Sequence, residues 1–376
     1  MARLQESAGS SATPDIRSCN FEELKSEFAS WGEPAYRLDQ LLDWLYRKQA
    51  ASWDAMSNLP RALRDRLAAR FSLTPILLAS RQGSADSTQK FLWRLKDGAL
   101  IESVLIPSSP ALYGEPSDRH TLCVSTQVGC AYGCKFCASG LEGWKRNLGV
   151  EEIVEQVLAV ERTSNAREPS ASAPGRDRLV QNLVIMGMGE PLANYANLLK
   201  ALHVLNAPWG GGIGARKITI STSGLVPEIR KLAAEPVQFR LAISLHGATD
   251  AVRGRIMPIN RKYPLAQLTA ACEQYLEKKG RMLTFEYILL GGVNDSLEQA
   301  GSLAKLAHQL DAKVNLIPYN QVEGLPWTRP SEEAQESFLA VLRRQKVSAT
   351  LRREKGHDIE AACGQLRLRH EQGTGR

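Results

Sequence analysis

Apolar residues recur along this chain with two different periods, and the change from one to the other divides it. From residue 20 to about 75 the spacing is helical. NFEELKSEFASWG, YRLDQLLDWLYRKQ and LPRALRDRLAARF each place apolar residues three or four apart. Leu38, Leu41, Leu42, Leu45 and Tyr46 share a face and read as core. Asn20, with Glu23 three residues on, marks a helix start, and Gly32 its stop. From about 120 to 345 the apolar runs shorten. TLCVST, LVQNLVIM, KITIST, FRLAISL, MLTFEYILL and AKVNLIPY are each followed by a helical stretch, beginning near Val150, Tyr195, Val226, Pro264, Ser296 and Ser331. Six such units predict an α/β fold: a parallel, barrel-like sheet with helices outside, two units short of a closed eight and therefore a partial (βα)6, TIM-like barrel. Residues 88–106 predict a β-hairpin turning at Asp97-Gly98. The expected organisation is a flexible tail over 1–19, a small helical accessory domain over 20–80, and the hairpin with its connecting loop over 81–118. The barrel follows over 119–345, then a C-terminal extension over 346–376. SNAREPSASAPGRD (164–177) interrupts the first crossover and reads as an exposed loop without chemistry.

Composition changes this picture only modestly. With 376 residues, 43% apolar and 23% charged, the chain is an ordinary globular sequence. Its net charge of +7 fits a nucleic-acid partner without proving one. Basic groups recur at Lys145-Arg146, in RGRIMPINRK (253–262) and in LRRQKVSATLRREKG (342–356). Arg61, Arg64, Arg66 and Arg70 fit phosphate contacts and a solvated basic face equally well, and no individual RNA contact stands out. The N-terminus has no signal pattern and no apolar run approaches membrane-spanning length, which points to a cytoplasmic protein without a membrane partner. Seven cysteines in such a chain suggest metal or catalytic thiols before disulfides. Cys19 and Cys272 carry no motif.

The chemistry concentrates at Cys130, Cys134 and Cys137, in GCAYGCKFCASG. The spacing is C-x3-C-x2-C, and no fourth cysteine or histidine follows closely. Structural zinc normally takes four protein ligands, whereas three thiolates on a four-iron cluster leave one iron open. A zinc site with a distant fourth ligand is the alternative. The spacing resembles that of the radical S-adenosylmethionine (radical-SAM) superfamily, where the open iron chelates the methionine amino and carboxylate groups and an aromatic residue, here Phe136, often precedes the third cysteine. Further polar signals end the expected strands: GMGEP (187–191), whose Glu190 could receive an ammonium and whose glycines let backbone approach a ligand; Ser221-Thr222-Ser223-Gly224; Ser244-Leu245-His246; and Asn320. Each is weak alone. Gathered at one end of a parallel sheet, they outline one pocket.

TLCVSTQVGCAYGCKFCASG, KRNL, VIMGMGEPL, STSGLVP, AISLHGA, PIN, NLIPYN and AACGQL closely resemble the RlmN/Cfr family of radical-SAM RNA methyltransferases, over residues 20–366. YRLDQLLDWLY resembles that family's N-terminal domain, which implies RNA binding there. The resemblance implies a [4Fe–4S] cluster on Cys130, Cys134 and Cys137, and an S-adenosylmethionine site lined by Gly189, Glu190, Ser221, Ser244, Leu245, His246 and Asn320. It also implies Cys363 as the methyl-carrying cysteine, Cys123 as its resolving partner and Glu102 as proton acceptor. In that scheme a methyl group loaded on Cys363 is activated by a 5′-deoxyadenosyl radical and joined to an adenine carbon. A base then removes a proton, and a transient Cys123–Cys363 disulfide releases the product. The implied substrates are 23S rRNA and tRNA at adenine C2, with an electron donor such as flavodoxin and a monomeric enzyme. Val128 favours C2 over Cfr-type methylation at C8. Two other readings stay open: a radical-SAM enzyme without a methylcysteine, and a zinc-stabilised RNA-binding module. SSPALYGEPSDRH lengthens the link between Glu102 and Cys123, which puts the placement of Glu102 in question; Glu115 and Asp118, in that loop, rank below it.

Overall fold

The computed structural model describes residues 13–83, 88–107, 119–165, 178–280, 282–352, 365–371 and 373. Its N-terminal part is helical: α1 (Phe21–Ser30), α2 (Ala35–Leu42), which runs on into a π turn at Asp43–Arg47, and α3 (Arg61–Arg70). The expected start of α1 is a complete capping box, with Glu23 N–H donating to Asn20 Oδ1 at 2.9 Å and Asn20 N–H donating to the Glu23 carboxylate at 2.7 Å. Leu38, Leu41, Leu42, Leu45 and Tyr46 are all buried.

The expected tail is corrected over residues 13–19. Ile16 and Arg17 are fully buried, and the Arg17 guanidinium is held by Asp15, Glu155 and the Thr74 carbonyl. Polar composition suggested exposure there, but the charges are paired with one another and with residues far along the chain. Glu155 lies on α4 (Val150–Asn165). Gln49 also donates to Glu161 on that helix, so the helical part is latched to the rest of the fold through buried polar groups.

Twelve strands are described: β1 (Leu77–Gln82), β2 (Gln89–Arg94), β3 (Leu100–Pro107), β4 (His120–Cys123), β5 (Gln127–Gly129), β6 (Trp144–Asn147), β7 (Val180–Ile185), β8 (Ile218–Thr222), β9 (Arg240–Ser244), β10 (Leu283–Leu289), β11 (Lys313–Pro318) and β12 (Ala349–Leu351). Ten form one sheet in the order β1-β2-β3-β4-β7-β8-β9-β10-β11-β12. From β4 to β12 neighbouring strands are parallel, and from β1 to β4 they are antiparallel. The helices between them are α4, α5 (Tyr195–Asn206), α6 (Val226–Ala234), α7 (Asp250–Ile256), α8 (Leu265–Lys279), α9 (Leu297–Gln309) and α10 (Glu332–Arg344), with α11 (Gln365–Glu371) near the C-terminus.

The six expected βα units are present in sequence order, and the hairpin turn falls where expected, with Leu95 and Ala99 closing a loop in which Gly98 has φ +83°. β5 and β6 form a separate antiparallel pair that was not anticipated, nor were three features of the main sheet and its helices. β1 adds a third antiparallel strand, α7 follows β9, and β12 is a seventh parallel strand that carries the sheet beyond residue 345. Each is short or lies in a strongly polar stretch.

Within the parallel strands the apolar residues alternate. Ile218, Ile220, Leu241, Ile243, Phe285 and Tyr287 are buried, while Thr219, Ser221, Ser244, Glu286 and Asn315 face an interior cavity. A closed barrel of this kind fills its centre with branched apolar side chains. This one keeps polar groups there, so its centre is available to a ligand. No described helix is long and apolar enough to cross a membrane.

Candidate functional site

The cavity measures about 1670 Å³ and runs through the barrel. Cys130, Cys134 and Cys137 all stand on its wall, on the loop that joins β5 to β6. That loop is tied down on several sides. Cys130 N–H donates to the Gly143 carbonyl (3.0 Å), Cys137 N–H to the Cys134 carbonyl (3.1 Å) and Lys135 N–H to the Ile256 carbonyl (2.9 Å). Trp327 Nε1 donates to the Lys135 carbonyl (2.7 Å). Burial pushes the Cys130 thiol up to about 12 and Cys134 well above its ordinary value, with the neighbouring thiols adding to both. Metal binding must therefore displace protons from these groups.

The loop after β7 supplies GMGEP. Its glycines have a packing reason: a Cβ on Gly187 would lie 2.6 Å from the Val124 carbonyl oxygen, and one on Gly189, at φ +100°, would lie 2.5 Å from the Gln127 side chain. The expected close approach is thus made to the protein's own backbone and β5. Glu190 is buried on the cavity wall. Its carboxylate accepts Leu192 N–H (3.1 Å) and Ser223 N–H (2.7 Å), while burial pushes its pKa upward. Buried so, it suits a cationic partner that enters with the ligand.

Ser221, at the end of β8, and Ser244, at the end of β9, bring their hydroxyl oxygens to 3.4 Å on the same wall, which Asn320 also lines. His246 sits at φ +56° with its ring edge against Phe136, centroids 4.8 Å apart. The Ile288 N–H donates to its Nδ1 (3.0 Å), which leaves the imidazole proton on Nε2. Burial, helped by Arg253, lowers its pKa to about 3, so the ring is neutral at physiological pH. Leu245 is buried behind the wall, where its N–H donates to the Glu286 carbonyl (3.0 Å) and its carbonyl accepts from Arg253 (3.1 Å).

Glu102 and Cys123 are buried beside the cavity. β3 and β4 pair from Val104↔Cys123 to Pro107↔His120, so the lengthened link between them leaves a regular register. The neighbours of Cys123 in that register, Val104 and Val184, both line the cavity. Cys363 lies outside the described residues, as do Glu115, Asp118 and residues 166–177 of the crossover insertion.

Several residues that organise this site escaped the sequence reading. The Ser125 hydroxyl donates to the Glu102 carbonyl (2.6 Å) and accepts Met188 N–H (2.9 Å), joining β3 to the GMGEP loop. Gln127 Oε1 accepts Glu190 N–H (2.8 Å). Lys90 stands 3.5 Å from Glu102, and a predicted hairpin with opposite charges on one face was the signal available for it. The basic candidates resolve differently. Arg64, Arg66 and Arg70 bond Asp54, Trp31 and Glu27 within the helical part. Arg119, Arg216, Lys217 and Arg240 line the cavity near the N-terminal ends of β4, β8 and β9, the end opposite the cysteines.

The donor set fits a cluster with a coordinated amino acid: three thiols, a buried carboxylate and two hydroxyls lining one cavity. No three His, Cys, Asp or Glu side chains among the described residues come together as a site for a single ion.

The family described as "Ribosomal RNA large subunit methyltransferase N-terminal domain" matches residues 15–73, and "Radical SAM superfamily" matches residues 175–304. A probable dual-specificity RNA methyltransferase RlmN 3 from Opitutus terrae is 56% identical over 96% of this chain and 96% of its own length. A dual-specificity RNA methyltransferase RlmN from Anaeromyxobacter dehalogenans is 49% identical over 94% and 92%. The crystal structure of a radical SAM methyltransferase from Sphaerobacter thermophilus superposes with a TM-score of 0.85 at 44% identity, covering 94% of this chain and 99% of that one.

Proposed function

The chain belongs to the RlmN family of radical-SAM RNA methyltransferases, and from that premise we propose that it methylates C2 of adenine in 23S rRNA and in tRNA. The observation that carries the reading is that Cys130, Cys134, Cys137, Glu190, Ser221 and Ser244 all line one cavity, at or beyond the ends of its strands, in a chain so similar to its relatives along nearly its whole length.

Cys130, Cys134 and Cys137 would hold a [4Fe–4S] cluster, which when bound supplies the electron that cleaves S-adenosylmethionine to a 5′-deoxyadenosyl radical. The residues of the chain do the rest. Glu190, already accepting two backbone N–H groups, takes the ligand's ammonium as a further donor. Ser221 and Ser244 offer hydroxyls to its polar groups, and neutral His246 offers an Nε2–H donor. Cys363 carries the methyl group. An aromatic adenine carbon has no lone pair to attack a sulfonium methyl, so the methyl group is first parked on a thiolate, the reactive form of cysteine. Hydrogen abstraction from the Cys363 methyl group and addition of the resulting methylene to the adenine carbon join protein to RNA; once the adduct radical has given up one electron to the redox partner, Glu102 accepts the proton from the substituted ring carbon. Cys123 then attacks the sulfur of Cys363; the C–S electron pair leaves with carbon, which is protonated to methyl, and a Cys123–Cys363 disulfide remains for reduction.

The test is an anaerobic reaction of cluster-reconstituted protein with S-adenosylmethionine, reductant and a ribosomal RNA fragment, followed by nucleoside analysis. We expect 2-methyladenosine. 8-Methyladenosine would transfer the protein to Cfr-type activity, and deoxyadenosine release without either product would put the substrate elsewhere. Cys363→Ala should keep deoxyadenosine release and lose methylation; normal product from it would remove the methylcysteine.

A further inference from the structure

Lys90 is a buried cation beside the candidate base, and none of the roles assigned above uses it. It lies on β2, two residues from the register partner of Glu102: Leu92 pairs with Glu102, and Lys90 with Val104. Side chains two apart on a strand share a face, so Lys90 and Glu102 are diagonal neighbours across the hairpin. Lys90 Nζ is 3.5 Å from Glu102 Oε2, with the two side chains 1% and 2% exposed. The other carboxylate oxygen, Oε1, accepts the backbone N–H of Arg367 on α11 at 2.7 Å. Lys90 itself reaches the cavity wall.

We propose that Lys90 is a positioning residue for proton transfer, its ammonium fixing the orientation of the Glu102 carboxylate; the inference rests on the reading of Glu102 as proton acceptor. A cation 3.5 Å from one carboxylate oxygen attracts it and limits rotation of the group. Arg367 N–H occupies one oxygen. The ammonium beside the other has three donors, so it can hold Glu102 and still face the cavity. In the step itself the proton moves from the ring carbon to a Glu102 oxygen and the C–H electron pair stays with the ring. No electron changes hands in this step, and Lys90 forms and breaks no bond. A purely structural clasp between β2 and β3 would leave the partition between product and covalent intermediate untouched.

The experiment compares full-length, cluster-reconstituted wild type with Lys90→Met, Lys90→Arg and Glu102→Gln, using S-adenosylmethionine, reductant and a ribosomal RNA fragment. Deoxyadenosine, methylated nucleoside and RNA–protein adduct resistant to denaturation are measured together. In Lys90→Met we expect deoxyadenosine to form, product to fall about 100-fold, the scale of a missing general base, and adduct to accumulate. Lys90→Arg, which restores the cation, should recover part of the product. Wild-type product from Lys90→Met would overturn the proposal. So would deoxyadenosine falling in step with product while Lys90→Arg does no better than Lys90→Met. Adduct in Glu102→Gln but normal turnover in Lys90→Met would remove Lys90 alone. Normal product from Glu102→Gln would remove the base assignment and this inference with it.

Discussion

His246 ties a conformation, a charge state and a contact together. Few residues other than glycine hold φ +56°, and Asn and His are among those that do so most often. The Ile288 N–H donates to Nδ1, which requires that nitrogen to be unprotonated. Protonation would break this bond and bury a charge next to Arg253, which explains the lowering from 6.5 to about 3. The consequence for stability has a definite sign. Above pH 6.5 the ring is neutral folded or unfolded, and its full contribution is present. Below 6.5 the unfolded chain binds the proton first, so stability falls by about 1.4 kcal/mol per pH unit until the folded ring titrates. His246→Asn suits the same backbone conformation and offers Oδ1 to Ile288. Urea unfolding at pH 7 and pH 5 should show wild type losing about 2 kcal/mol more than His246→Asn over that interval. Equal losses would mean that the ring is not held neutral in the fold.

Helix α7 shows how an element can matter more than its length suggests. Its Arg253 is fully buried, and burial lowers its pKa to about 10. Nε donates to the Leu245 carbonyl (3.1 Å), Nη1 to Asn260 Oδ1 (2.8 Å) and Nη2 to the Ser223 carbonyl (2.5 Å). One planar fork thus fastens the loops after β8 and β9 to the PIN turn. Arg253→Lys cannot reproduce that geometry. It should destabilise the protein by about 2–4 kcal/mol through stranded buried acceptors and weaken S-adenosylmethionine binding; wild-type urea stability in this variant would refute the clasp. In the sequence Arg253 belonged to a basic run that suggested phosphate contact, because composition cannot distinguish a paired, buried arginine from a solvated one. The same failure hid Asp15 and Arg17. What was legible had a local cause: strands showed as β-branched runs, helix starts as Asn20, Ser296 and Ser331 caps, and site residues as polar groups directly after strands. Ser125, Gln127 and Lys90 act through partners on other strands and loops, and single-sequence periodicity carries no trace of such pairings.

Across the whole molecule the cavity has two chemically different ends. Thiols, hydroxyls and a buried carboxylate occupy the end where the parallel strands finish, and Arg119, Arg216, Lys217 and Arg240 stand where β4, β8 and β9 begin. An adenine must leave its stack to reach the interior, and its flanking phosphates then need cations at the mouth. The chain's net charge of +7 supplies long-range attraction, but the local basic end would determine where the strand is held. Arg216, Lys217 and Arg240 are exposed, so replacing them with Gln should cost little stability. Each phosphate left without its cation should reduce the slope of log affinity against log salt by about 0.7–0.9. The triple variant should therefore bind the RNA fragment more weakly and with a slope shallower by about 2 to 3, measured by filter binding over a salt series. A slope equal to wild type would move the RNA to another face, with the strand reaching the barrel from the cysteine end instead.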